Sequence, residues 1–183
     1  MDSKKLLAQD RSNSQGIWKM FFARDGKSLL TAGTGKPLLI RDPATGREIG
    51  SFPLAGKASP QSLSISPDGK LIAAGLDDGR IVLWDFPSRR PLLPLPGHAN
   101  AVSSLCFSRN GLTLASGGRD QVIKLWDVAT GQLKTTLEGH TGNVMELAFT
   151  PDDRTLASAS LDHTVRLWRT ASPGDPAQRA KTP

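Results

Sequence analysis

Residues 102–137 read VSSLCFSRNGLTLASGGRDQVIKLWDVATGQLKTTL, and the fold follows from them. Asn110-Gly111 is a tight-turn signal between two apolar runs, 102–107 and 112–116. Arg119-Asp120-Gln121 separates the second run from 122–126, whose β-branched and aromatic residues suit a strand. Thr130-Gly131 then turns the chain into 132–137. The pattern predicts four short antiparallel strands. A sheet this small does not stabilise itself alone and needs further sheets stacked against it.

Those neighbours are present in the same chain. Trp84, Trp126 and Trp168 recur every 42 residues. Phe107 and Phe149 recur at the same interval, each 19 residues before its tryptophan, and Ile65 stands 19 before Trp84. Phe22 stands 19 before Arg41, which marks a degenerate first copy. The turns repeat too, as Asp25-Gly26, Asp68-Gly69 and Asp152-Asp153, and again as Thr45-Gly46, with Pro87-Ser88 at that place in the second copy. Strand-built repeats of this period predict an all-β chain, a β-propeller of four-stranded antiparallel blades with four blades per chain.

The segments LPGH (95–98) with LASGGRDQVIKLWD (114–127), and LEGH (137–140) with LASASLDHTVRLW (156–168), resemble the WD-repeat (Trp-Asp repeat) β-propeller family. The resemblance covers residues 13–170 and is densest in the third and fourth copies. The second copy keeps Asp78, Trp84 and Asp85 but has Gly56-Lys57 for Gly-His and Ala74 for Ser. The first keeps Thr31 and Asp42, with Arg41 in place of Trp and Gly35 in place of the turn Asp, and the last ends Trp168-Arg169. The resemblance implies blades at 13–54, 55–96, 97–138 and 139–170. It further implies that residues 1–12, with KKLLAQ at 4–9, supply the outermost strand of the last blade. Residues 171–183, rich in Pro, Gly and polar side chains, read as a disordered tail.

By the same resemblance, His98, Ser116, Asp120 and Trp126 form one structural hydrogen-bond set within a blade, and His140, Ser158, Asp162 and Trp168 form a second. The chemistry suits the role. An indole N–H only donates, a serine hydroxyl can accept it and donate onward, and an imidazole can link that hydroxyl to a carboxylate. A Ser-His-Asp nucleophilic triad is the competing reading. Two equivalent sets in adjacent blades serve a repeated structural need better than one active site, and no nucleophile elbow accompanies either. Gly26-Lys27-Ser28 lacks the first glycine of a phosphate loop, since Phe21 stands there, and it joins strands. His98, His140, His163 and Cys106 include no short-spaced pair of metal ligands. No catalytic residue, metal or cofactor is expected.

The expected function is therefore a protein-interaction scaffold. By family resemblance, partner-facing positions fall at the start of each first strand and just before each turn aspartate. They are Trp18, Gln61, Ser103, Asn143 and Met145, and Asp77, Arg119 and Leu161. Trp18 ranks first, because tryptophan is enriched in binding hot spots. A regulatory fragment of a larger multidomain protein is the alternative, and an enzyme using the propeller channel ranks behind it. The formal charge is +6, but the 23 Lys and Arg residues are scattered and not interleaved with aromatics, which points away from nucleic acid. No apolar run reaches the roughly 20 residues a membrane helix needs. The single cysteine, Cys106, fits a reducing compartment, so a cytoplasmic location is expected. Three closures remain open: a four-bladed ring, two chains exchanging N-terminal strands to form an eight-bladed homodimer, and a fragment whose other blades lie elsewhere. The homodimer is favoured.

Overall fold

In a computed structural model, which describes residues 16–33, 36–54, 56–92 and 95–169 apart from the Trp18 side chain, every regular element is a β-strand. The first sheet runs β1 (Ile17–Phe22), β2 (Leu29–Gly33), β3 (Leu38–Arg41) and β4 (Glu48–Phe52). The second has β5 (Pro60–Ile65), β6 (Leu71–Leu76) and β7 (Ile81–Asp85). The third has β8 (Val102–Phe107), β9 (Thr113–Gly118), β10 (Ile123–Asp127) and β11 (Leu133–Leu137). The fourth has β12 (Val144–Phe149), β13 (Thr155–Ser160) and β14 (Val165–Arg169). Each is an antiparallel meander in chain order, a blade of a β-propeller. Residues 4–9 and the tail 171–183 lie outside the described residues.

The second blade departs from the expected four strands. Among the described residues its outer strand is reduced to two isolated bridges, Trp84 with Pro91 and Ile81 with Leu95. The cause is local. Pro91, Pro94 and Pro96 have no N–H to give a ladder. The amides between them still pair, Leu92 donating to the Leu83 carbonyl at 2.8 Å and Leu95 to that of Ile81 at 3.1 Å.

Face-to-face stacking builds the core, one apolar layer per pair of adjacent blades. Leu30, Leu38, Ile40 and Phe52 of the first blade bury against Ile72 and Trp84 of the second. Ile81 and Leu83 meet Leu105, Phe107 and Trp126 of the third. Ala115 and Ile123 meet Val144, Leu147 and Leu156 of the fourth. Each fully buried Leu or Ile stabilises by about 1.5–3 kcal/mol, so these three layers are the main source of stability.

One backbone contact explains a glycine of the repeat. Gly97 and Gly79 both have positive φ, 62° and 90°, and face each other across the second and third blades. A Cβ on Gly97 would sit 2.1 Å from the Gly79 carbonyl oxygen, and one on Gly79 would sit 2.2 Å from that of His98. The His98 amide donates to the Gly79 carbonyl at 2.8 Å, a main-chain bond that seats the segment carrying His98 on the preceding blade.

Candidate functional site

The hairpin between the second and third strands of a blade supplies the first part of the site. Its tips are Asp77-Asp78-Gly79, Arg119-Asp120-Gln121 and Leu161-Asp162-His163. The third residue of each is in the left-handed region, with φ of 90°, 71° and 66°. That conformation aims the Asp120 and Asp162 carboxylates back at the incoming chain. Asp120 accepts the Ala99 amide at 2.9 Å, and Asp162 accepts that of Thr141 at 3.1 Å.

Both predicted side-chain sets are assembled. Trp126 Nε1 donates to Ser116 Oγ at 2.8 Å, Ser116 Oγ lies 2.7 Å from His98 Nε2, and His98 Nδ1 lies 2.9 Å from Asp120. In the fourth blade Trp168, Ser158, His140 and Asp162 repeat the arrangement at 2.9, 2.7 and 2.7 Å. The donors order themselves. The indole must donate, so the serine oxygen accepts it and sends its own proton to Nε2, and the imidazole carries its proton on Nδ1 towards the carboxylate. Burial pushes the His98 imidazole below its ordinary value even though Asp120 favours the charged ring. Burial also opposes ionisation of Asp162, but hydrogen bonds from Thr164, His140 and the Thr141 amide outweigh it and hold the carboxyl well below the usual range. Ser116 and Ser158 are buried, and each hydroxyl oxygen accepts the indole N–H of its blade's tryptophan.

The predicted partner-facing residues gather at one end of the blades. The first strand of every blade carries a β-bulge, and the bulged residues are Trp18, Gln61, Ser103 and Met145. A bulge re-aims its side chain and bends the strand. The amides of Asp77, Arg119 and Leu161 donate to the carbonyls of Ser59, Ala101 and Asn143 at 3.0, 2.8 and 2.9 Å. Each turn residue is thus tied to its own blade two residues before the bulge. Arg119, Leu161 and Met145 are exposed; Gln61, Ser103 and Asn143 are half-buried. Asp77 is exposed but also accepts the Ser59 amide at 3.0 Å, so part of its capacity is spent within the blade. The Ser103 hydroxyl oxygen is buried with no partner among the described residues.

Sequence reading missed three features. Arg41, in the tryptophan place of the first blade, donates Nε to Thr31 Oγ1 at 3.1 Å and Nη1 to the Gly46 carbonyl, standing in for an indole–serine pair. Trp84 has Ala74 where a serine would stand, and its indole donates to the Pro53 carbonyl at 3.1 Å. At the opposite end from the bulges lies a cavity of about 460 Å³. Arg24, Pro67, Arg109 and Pro151, one from each blade, share its lining with Cys106, whose thiol is pushed up by burial. Positional equivalence of 67, 109 and 151 was readable from the 42-residue period, and that of 24 from the 19-residue spacing of Phe22 and Arg41; their convergence was not.

The model of the family described as "WD domain, G-beta repeat" matches residues 49–85, 89–127 and 131–169. The chain belongs to the WD-repeat family. Each matched WD repeat begins in or just before the outer strand of one blade and ends with the third strand of the next, so the sequence repeat is offset from the blade. Among curated relatives, the human U5 small nuclear ribonucleoprotein 40 kDa protein is 50% identical over 42 residues, 23% of this chain and 12% of that protein. The U3 snoRNP-associated protein-like YAO of Arabidopsis thaliana is 40% identical over 45 residues, 25% of this chain and 9% of that protein. The matches therefore span about a tenth of those relatives' lengths. The solved structure of U3-55K superposes with a TM-score of 0.77 at 28% identity, covering 87% of this chain and half of that one. The computationally designed Ika4 protein superposes with a TM-score of 0.76 at 24% identity, covering 92% of this chain and all of that one, a likeness of fold.

Proposed function

We propose that this chain is a non-catalytic protein-binding scaffold whose rim of bulged strand starts and hairpin tips receives partners. The carrying observation is the common anchoring of Asp77, Arg119 and Leu161 to their first strands, which holds variable side chains on a rigid frame. Around that rim the side chains differ in kind, with Arg119 and Ser103 in the third blade and Leu161 and Met145 in the fourth, so each blade offers different chemistry on the same backbone. Two relatives are named for ribonucleoprotein particles, which accords with a role in assembly. A second copy of the chain belongs among the proposed partners.

The test is affinity capture with the wild-type chain, a rim variant carrying Trp18→Ala and Arg119→Ala, and an Arg109→Ala control at the opposite end. Loss of the captured proteins from the rim variant alone is the expected result. Identical captured sets from all three proteins would remove the rim from consideration.

A further inference from the structure

The two ends of the blade stack carry faces that the interior blades keep covered. On the face turned to the following blade, Ile81 and Ile123 are fully buried and Leu83 is 3% exposed. Val165 stands where Ile81 and Ile123 stand, and Leu167 where Leu83 stands, yet they are 71% and 65% exposed. On the face turned to the preceding blade, Leu63, Leu105 and Leu147 are 5%, 7% and 3% exposed. Met20 occupies that place in β1 and is 66% exposed; Phe22, in the place of Phe107, is 63% exposed. Contiguous exposed apolar surface of this sort marks an interaction site.

We propose that these two faces cover each other between two copies of the chain. Val165 and Leu167 of one copy pack on Met20 and Phe22 of its partner, and the reciprocal pair closes a ring of eight blades about a twofold axis. The contact is not a new kind. The same strand positions, carrying the same classes of side chain, already meet three times within the chain. A fourth and fifth meeting would continue an interface the structure displays. The exposure of both end faces means that four blades turn through less than a full circle. Two copies supply one face of each type at each junction, so a half-turn per copy leaves neither face open, and head-to-tail contacts that close do not polymerise. This pairing deepens the association of two copies proposed above and is independent of what the rim binds.

Sedimentation equilibrium of the 183-residue chain tests it, with Leu167→Glu and Met20→Glu as single variants and an equimolar mixture of the two. The wild type is expected to weigh twice one chain. Each variant places a charge in both junctions of a like pair and should raise the dimer dissociation constant at least about 100-fold. Mixed together they pair again, because one junction then has two unaltered faces. Leu167→Ser serves where the charged variant loses its strand signal in circular dichroism. A wild type that stays monomeric overturns all association of two copies while leaving rim binding untouched. A dimer that persists in both variants overturns these faces. Monomeric variants that do not pair on mixing overturn the head-to-tail arrangement.

Discussion

A buried indole needs an acceptor, and this chain meets that need by more than one route. Where a serine is available the indole uses it, as Trp126 uses Ser116. Where Ala74 stands instead, Trp84 turns to the Pro53 carbonyl, and where arginine replaces the ring, Thr31 receives it. Ser116→Ala should therefore cost about 1–3 kcal/mol for each group it orphans, the Trp126 indole and the bare His98 nitrogen, read as a fall in the urea midpoint. The buried imidazole also makes stability depend on pH. His98 is held below its ordinary value of about 6.5, so the unfolded chain binds a proton that the folded chain refuses. Stability is fully present above that value and declines as pH falls below it, and His98→Asn should flatten the slope of unfolding free energy measured from pH 7 to 5. Asp162 acts in a lower window: its depressed carboxyl contributes above about pH 3.9 and the contribution is lost as acid reaches its folded value.

Turns between strands do more than reverse the chain. Asp153 has φ of 57° where Gly69 and Gly111 serve the second and third blades, a conformation costing a side-chain-bearing residue about 1–2 kcal/mol. Its carboxylate compensates by accepting the Arg109 and Asn110 amides at 2.6 and 2.8 Å, which joins the turns of the third and fourth blades. Asp153→Ala keeps the strain and loses both bonds; Asp153→Gly loses the bonds and releases the strain. Thermal unfolding should rank the wild type above Asp153→Gly and Asp153→Gly above Asp153→Ala, with the glycine variant nearer the wild type by about 1 kcal/mol. Asp152-Asp153 identified this turn in the sequence. The inter-blade bond did not show there, because its acceptor and donors lie more than forty residues apart.

A stack of blades distributes its stability unevenly, since each blade is supported only by its neighbours. The second and third are packed on both faces, the first and fourth on one. Amide exchange of a dilute monomer, such as Leu167→Glu, should show the greatest protection in β6 and β9 and opening at lower free energy in β1 and β14. The 42-residue period, the turn pairs and the position of each tryptophan determined the number of blades and their antiparallel strands, because those depend on spacing along one repeat, and the family resemblance carried by the same residues implied the two Trp-Ser-His-Asp sets. The packed structure alone decided that the second blade loses its outer ladder, that Arg41 and Pro53 complete missing bonds, and that Met20 and Leu167 stand open at opposite ends. Those outcomes depend on which surfaces meet across blades, and a linear pattern carries no record of the angle between one sheet and the next.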